Sequence, residues 1–275
     1  MGWADAQEGG SQAVRYLIDH LPATKFAELD PEEFYDFTAV RPHVSYTEDG
    51  ERILKWPSNE FFYWSSEDGS RELILFLGTE PSLKWRTYTQ TLLSVVEPYD
   101  MQLMINAGSL LDALPHTRDA TLTGSANKEE LKVKLEGVRI RRSTYQGPVG
   151  VTSAFMEACT KAGLDYVSLM GHASHYVQRG PNYKVSKAIV HQINEMLSLN
   201  VSLEELEELS KTFEEDVTKS IRSSVEVSAY VKRLERQYDG RETGEELPTP
   251  ESAVEGVEQF LRDNPPPDGQ PGSSN

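Results

Sequence analysis

The sequence predicts an α/β fold with a mainly parallel sheet, helices on the faces of the sheet and a further helical segment near the C-terminal end. Strand and helix patterns alternate from residue 73 to residue 197, which is typical of parallel strands joined by helical crossovers. Beyond residue 200 the apolar residues follow helical spacing only. We therefore expect a sheet domain over residues 1–200, a helical segment over 201–239 that packs on it or projects from it, and an acidic, proline-rich tail over 240–275.

Composition narrows the classes of partner. The 275 residues carry a net charge of −17, which is too acidic for a protein that grips nucleic acid or an anionic membrane surface. We find no signal peptide and no apolar run of about 18 residues, the length of a membrane span, so a cytoplasmic location is expected. The single cysteine, Cys159, excludes an intrachain disulfide and a cysteine-based zinc site.

The first predicted helix carries Val14, Leu17 and Leu21 at spacings of three and four, and Pro22 ends it. A helix that opens an α/β domain usually follows a strand, and the residues before this helix leave no room for one. We therefore expect that the first strand of the domain is missing from this sequence.

Between residues 28 and 66 the pattern changes to β. Short runs rich in aromatic or β-branched residues predict three strands, at 34–38, 44–46 and 52–54. Asp49-Gly50 between the last two marks a hairpin turn. The aromatic run 61–64 predicts another strand, whose rings could serve the core, an oligomer contact or a ligand platform.

The stretch 73–109 organises the rest of the chain. Leu73 to Leu77 is apolar without alternation, as expected for a strand covered on both faces. Pro81 fits the first turn of a following helix, and 101–105 predicts the next strand. The remaining elements of the sheet domain are predicted as strands at 121–124 and 166–170 and helices at 127–135, 154–163 and 185–197. Helical spacing continues over 203–238, and a short helix is possible at 251–262.

Candidate site residues follow from the strand ends. In open parallel sheets, ligands gather beyond the carboxyl ends of the strands. The polar residues expected there, and in the loops that join them, are Glu80, Asn106, His116, Arg118, His172 and His175.

Each of these residues has a structural alternative. His116 and Arg118 could hold an anion, or Arg118 could pin its loop to a carboxylate. Glu80 could act as a general acid or base, or it could cap the helix that begins at Pro81. His172 and His175 have the spacing of two metal ligands, but no third ligand is nearby, so no metal is expected.

Motifs for common chemistries are absent from the sequence. There is no glycine-rich phosphate loop and no Gly-x-Ser-x-Gly elbow, so no cofactor is expected and no reaction is predicted.

A set of short segments resembles the proteasome assembly chaperone 2 family, in its actinobacterial branch. The segments run in family order over about 240 residues. They are Gly2-Trp3-Ala4-Asp5-Ala6, Arg41-Pro42, Trp56-Pro57, Gly78-Thr79-Glu80-Pro81-Ser82-Leu83-Lys84-Trp85, Pro115-His116-Thr117-Arg118, Tyr145-Gln146-Gly147-Pro148-Val149-Gly150, His175-Tyr176-Val177 and Tyr230-Val231-Lys232-Arg233-Leu234-Glu235.

The resemblance implies a phosphorylase/hydrolase-like α/β fold with a strand before Gly2. It also implies a role in proteasome assembly, and it transfers no catalytic residues. Family members that engage the proteasome directly tend to end in a hydrophobic residue, tyrosine and any residue. This chain ends Gly272-Ser273-Ser274-Asn275, so docking of its C-terminus into a proteasome is not expected.

Two functions from different classes follow. The first is a non-enzymatic assembly chaperone or scaffold that binds protein partners and self-associates, and the resemblance favours it. The alternative is a small-molecule-binding protein or a hydrolase/phosphorylase-like enzyme that uses the strand-end loops.

Overall fold

A computed structural model describes residues 4–135, 138–140, 146–178 and 180–241. It forms a mixed α/β domain in which three sheets are packed with six α-helices. The predicted tail over 240–275, apart from its first two residues, and the short helix at 251–262 lie outside the described residues.

The first half of the chain builds an antiparallel sheet and a separate hairpin. Helix α1 spans Gly9–His20. The strands that follow are β1 (Thr24–Glu28), β2 (His43–Tyr46), β3 (Arg52–Lys55), β4 (Asn59–Ser65) and β5 (Glu72–Gly78). The first sheet has the order β1-β4-β5 and is antiparallel throughout, and β2 and β3 form the hairpin. Gly50 in the hairpin turn has a φ of 81°, a conformation that favours glycine.

The second half builds a mixed sheet. The elements are α2 (Trp85–Val96), β6 (Leu103–Asp112), β7 (Leu122–Ala126), β8 (Arg139–Ile140), α3 (Val151–Lys161), β9 (Asp165–Ser174), α4 (Tyr183–Leu197), α5 (Glu204–Ile221) and α6 (Val225–Arg241). The strand order is β6-β9-β7-β8. Strands β6 and β9 are parallel, and so are β7 and β8, but β7 runs antiparallel to β9.

The prediction of a mainly parallel sheet is therefore not confirmed. The α/β class holds, but the sheets are small and are antiparallel or mixed. One reason lies in the connection after β6: no α-helix separates it from β7, so the chain can turn back without a helical crossover and pair antiparallel to β9.

Two cores lie on opposite sides of the sheets. The α1/α4 core contains Leu17 and Ile189, and the α2/α3 core contains Tyr88 and Phe155. Leu75 of β5 packs against the first core, and its neighbour Ile74 packs against the second. Strand β5 is thus covered on both faces, which explains why its residues are apolar without alternation.

Three predicted elements differ from the structure. Residues 34–38 form turns, because Asp36 Oδ1 accepts from the backbone N–H of Thr38 at 2.9 Å and from its hydroxyl at 2.6 Å, a local alternative to strand pairing. Helix α2 begins at Trp85, four residues after Pro81. Residues 129–135 form a 3-10 helix.

Helices α5 and α6 pack onto the rest of the domain. Leu206 of α5 is fully buried in the α1/α4 core, and Val231 and Leu234 of α6 are 4% and 3% exposed. Tyr16 of α1 donates a hydrogen bond to the backbone oxygen of Ser202, just before α5. Over the described residues, no helix is long and apolar enough to cross a membrane.

Candidate functional site at the strand ends

The carboxyl ends of β6 and β9 form the centre of the candidate site. Asp112 lies opposite Ser174 in the parallel register, so the loops that follow the two strands leave from the same edge of the sheet. The first loop carries His116 and Arg118, and the second carries His175. Four of the six predicted residues therefore meet at this edge, because His172 also lies near the end of β9.

Asp112, His172 and Thr123 form a hydrogen-bonded line across three strands. Asp112 Oδ2 lies 2.6 Å from His172 Nδ1, and Thr123 Oγ1 lies 3.0 Å from His172 Nε2. Carboxylate, imidazole and hydroxyl have this order in catalytic triads. Thr123, however, lies within β7 and is only 6% exposed, so the observed arrangement fixes the imidazole rather than presenting a nucleophile.

His116 is held between two hydroxyl groups. Its Nδ1 lies 2.7 Å from Tyr176 Oη, and its Nε2 lies 3.0 Å from Thr218 Oγ1 of α5. The backbone N–H of His116 also donates to Tyr176 Oη, which leaves the tyrosine proton for Nδ1. Burial lowers the pKa of His116 and raises that of Tyr176 to about 12, so both groups are neutral at pH 7.

His175 links the sheet edge to helix α6. Its Nδ1 is 3.0 Å from the backbone oxygen of Asp112, and its Nε2 is 3.3 Å from Tyr230 Oη. The ring meets the rings of Tyr176 and Tyr230 edge to face. Burial lowers the pKa of His175 as well. We call the six residues Asp112, His116, His172, His175, Tyr176 and Tyr230 the strand-end cluster.

Arg118 is paired with carboxylates of α6. Its Nε and Nη2 donate to the two carboxylate oxygens of Asp239, each at 2.8 Å, and this fork raises the pKa of Arg118 and lowers that of Asp239. Beside it, the Thr117 hydroxyl donates to Glu235 Oε1 at 2.5 Å. Arg118 therefore ties its loop to a carboxylate, which is the structural alternative given above. The guanidinium binds a side chain of the same chain and not a ligand.

Glu80 and Asn106 take other positions. Glu80 Oε1 accepts from the backbone N–H of Val151 at 3.1 Å, so Glu80 caps helix α3 and not the helix expected at Pro81. Asn106 is fully buried within β6 and donates to Ser168 Oγ at 3.1 Å. Within the part of the chain that the structure describes, neither residue is hydrogen-bonded to the strand-end cluster.

Asp112, Thr123 and Tyr176 were not among the site residues predicted from the sequence. Asp112 is the first carboxylate after the apolar run of β6, and it would have been found had that strand been extended past Ser109. Among the described residues, no group of three or more histidine, cysteine, aspartate or glutamate side chains could hold a metal ion.

These features define a class: a mixed α/β domain whose polar strand ends are covered by its own C-terminal helices. Residues 1–221 match the model of the PAC2 family, so the chain belongs to the PAC2 family. This confirms the family resemblance. The comparison with curated proteins gives no match.

Several solved structures are similar. A PAC2 family protein from Streptomyces avermitilis is 32% identical with a TM-score of 0.73, and the match covers 84% of this chain and 96% of that one. A proteasome-assembly chaperone homologue from Mycobacterium tuberculosis is 29% identical with a TM-score of 0.73, covering 84% and 97%. An archaeal proteasome activator from Pyrococcus furiosus is 25% identical with a TM-score of 0.64, covering 78% and 89%.

Acidification is expected to destabilise the domain through His116 and His175. Burial lowers both pKa values in the folded state, while an unfolded histidine keeps a pKa of about 6.5. Below that pH the unfolded chain binds more protons, so stability falls until the lowered folded pKa values are reached. Each pKa unit of difference corresponds to about 1.4 kcal/mol. Urea unfolding at pH 7.5, 6.5 and 5.5 measures this loss.

Charged side chains also act on the pKa of His116, and their effects are compared with that of burial. Glu214 and Glu235 raise the pKa of His116, and Lys184 lowers it, but each effect is smaller than that of burial. His116→Gln together with His175→Gln should flatten the pH profile, whereas His43→Gln in the exposed hairpin should leave it unchanged. An unaltered slope in the double variant would contradict the assignment.

Proposed function

We propose that this chain is a non-enzymatic, protein-binding assembly chaperone or scaffold of the PAC2 type. The observation that carries the proposal is membership of the family over residues 1–221. The similar structures include a proteasome-assembly chaperone homologue and a proteasome activator. Such a protein binds its partners through its surface. The partners that we expect are proteasome subunits and a second copy of this chain.

The strand-end geometry supports a role without catalysis. His116 is buried and His175 is half-buried between hydroxyl groups and the backbone, and Arg118 is forked onto Asp239. A catalytic site needs such groups directed at a substrate. Here they instead connect loop 115–118 and the end of β9 to helices α5 and α6.

The β2–β3 hairpin offers a surface for protein partners. Val44 and Leu54 lie opposite each other in the register and are 47% and 42% exposed. Tyr46 on the same strand is 68% exposed, and Trp56, just past β3, is 49% exposed. Exposed apolar groups gathered on one element are typical of protein interaction sites, so we assign the partner contact to this hairpin.

The alternative function, a hydrolase-like enzyme or a small-molecule binder at the strand ends, rests on the hydrogen-bonded line of Asp112, His172 and Thr123. It requires access of a substrate to Thr123 Oγ1. The low exposure of Thr123 is the reason that we place this function second.

The test uses the purified chain and purified proteasome subunits from the same organism. We expect the chain to elute as an oligomer at micromolar concentration and to co-elute with unassembled subunits in size-exclusion chromatography with light scattering. Tyr46→Asp with Val44→Asp should abolish both results. The matched control is Val225→Asp, a position that is 84% exposed on α6. A monomer that co-elutes with neither unassembled subunits nor assembled proteasome would overturn the proposal.

A further inference from the structure

Helix α6 covers the loops that follow β6 and β9. In the ranges that the structure describes, its backbone does not pack closely along another helix or strand. Val231 and Leu234 are buried under the helix, but neither belongs to the α1/α4 core or to the α2/α3 core. Tyr238 donates to the backbone oxygen of Asp119 in the first of these loops. Release of α6 would therefore expose the loops and leave both cores intact.

Two carboxylates of α6 lie in a site made by Thr117 and Arg118. Asp239 receives the forked hydrogen bonds of Arg118, each at 2.8 Å. Glu235 accepts from the Thr117 hydroxyl at 2.5 Å, and its Oε1 lies 3.7 Å from Arg118 Nη1. Glu235 and Asp239 are four residues apart, so one helical turn presents both carboxylates to the same loop. We call Thr117 and Arg118 the carboxylate site.

The groups around the carboxylate site favour an anionic ligand. A guanidinium that donates two parallel hydrogen bonds is the arrangement by which proteins recognise carboxylates. A second cation lies beside the loop, because Lys184 Nζ donates to the backbone oxygen of His116 at 2.7 Å. Lys184 is in turn paired with Glu214 of α5 at 2.6 Å. The anion that the sequence predicted for this loop is thus supplied by the chain's own helices.

The hold of the carboxylate site on α6 is open to competition. The side chains of Arg118 and Asp239 are 34% and 53% exposed, and that of Glu235 is 25% exposed. An ion pair that is open to water contributes little to stability, because water solvates both charges when they separate. Only residues 222–224 join α6 to α5, so a change of backbone angles there can move α6 without unfolding α5.

We propose that the carboxylate site binds a helix of a partner protein that carries two carboxylates four residues apart, and that α6 covers the site until this partner displaces it. Glu235 and Asp239 stand in for the carboxylates of the partner helix. Because α6 is tethered to the site, the partner must bind more tightly than the free sequence of α6 does. This inference goes beyond the proposed function, since the site shares no residue with the β2–β3 hairpin and its test uses no proteasome subunit.

The test uses the full chain and a synthetic peptide with the sequence of residues 225–241. In the chain, Glu235→Lys with Asp239→Lys should release α6, which faster amide exchange over 225–241 would show. The peptide should bind this variant about tenfold more tightly than the unaltered chain, in which α6 fills the site. A peptide that carries Glu235→Gln and Asp239→Asn should bind about tenfold more weakly than the unaltered peptide, because it lacks the charged acceptors. Fluorescence anisotropy measures both affinities.

Two further variants show whether charge determines the binding. Glu226→Lys is the matched control, because Glu226 is an exposed carboxylate at the start of the same helix. It should leave amide exchange and peptide binding as they are in the unaltered chain. Arg118→Asp should release α6 and reject the unaltered peptide, but it should bind a peptide that carries Asp239→Arg.

Several results would overturn the proposal. One is amide exchange of α6 that stays as slow in the Glu235→Lys, Asp239→Lys variant as in the unaltered chain. Others are a released chain that binds no peptide, and binding that is equal with and without a further Arg118→Gln change. Loss of cooperative unfolding in both the α6 variant and Arg118→Asp would show that α6 is part of the core. A dimer that both of these variants dissolve would assign the site to the α6 of a second copy.

Discussion

Replacing Gly10 by alanine is expected to lower the free energy of unfolding by about 2 kcal/mol, as overpacking of a tight contact does. A Cβ atom at Gly10 would lie 2.6 Å from Gly108 Cα and 2.8 Å from the backbone oxygen of Ala107. Both atoms belong to the backbone of β6, which is held by its parallel pairing with β9. Since no side-chain rotation can relieve the clash, helix α1 must move away from the sheet.

The matched control is Gly240→Ala in α6. A Cβ atom there would meet nothing within 4 Å, so alanine should leave stability unchanged or raise it by up to about 1 kcal/mol through helix propensity. Urea unfolding at pH 7.5 measures both variants. If Gly10→Ala proved as stable as the parent, the close approach of α1 to β6 would be wrong.

Replacing Asn59 by alanine is expected to cost about 3 kcal/mol, the sum of a small cavity and lost buried hydrogen bonds. Asn59 is 1% exposed at the start of β4. Its Oδ1 accepts from the hydroxyl of Tyr35 at 2.8 Å and from that of Tyr88 at 2.7 Å. The Tyr35 hydroxyl also lies 2.5 Å from the backbone oxygen of Thr79, so its one proton is shared between two acceptors and the hub fixes the corner that carries Glu80.

A double-mutant cycle with Tyr88→Phe tests the hub. The phenylalanine removes one donor and keeps the ring, so alone it should cost about 1 kcal/mol. Because both changes remove the same hydrogen bond, the double variant should lose less than the sum of the two single losses. Urea unfolding of the four proteins gives the coupling energy, and strict additivity would show that the two side chains do not interact.

The local spacing of apolar residues predicted most of the helices and strands. It failed where contacts between distant parts of the chain determine the local conformation. The spacing of apolar residues placed α4 close to its observed bounds and marked the end of α1, whereas the predicted strand 166–170 covers only the first half of β9. The aromatic residues Phe34 and Tyr35 resembled a strand, but they are buried as part of a turn. Phe34 and Tyr35 are hydrophobic because they pack in the core near α2 and β4. Composition alone cannot distinguish such packing from strand pairing.

The candidate site shows the same limit. His116, Arg118 and His175 could be chosen from the sequence because they follow apolar strands. Their partners could not, because Tyr176 is 60 residues from His116 and Asp239 is 121 residues from Arg118. No short spacing encodes contacts at that separation, so the sequence left open whether these side chains face a ligand or the chain's own helices.

The placement of helix α1 has a consequence for the order in which the protein can mature. Residues 9–20 are synthesised before β6 and α4, which end at residues 112 and 197, yet the helix packs on both elements. Closing such long loops precedes any gain from the contacts, so formation of this packing is slow compared with that of local structure. On the ribosome, α1 therefore cannot complete this packing before β6 and α4 have been synthesised.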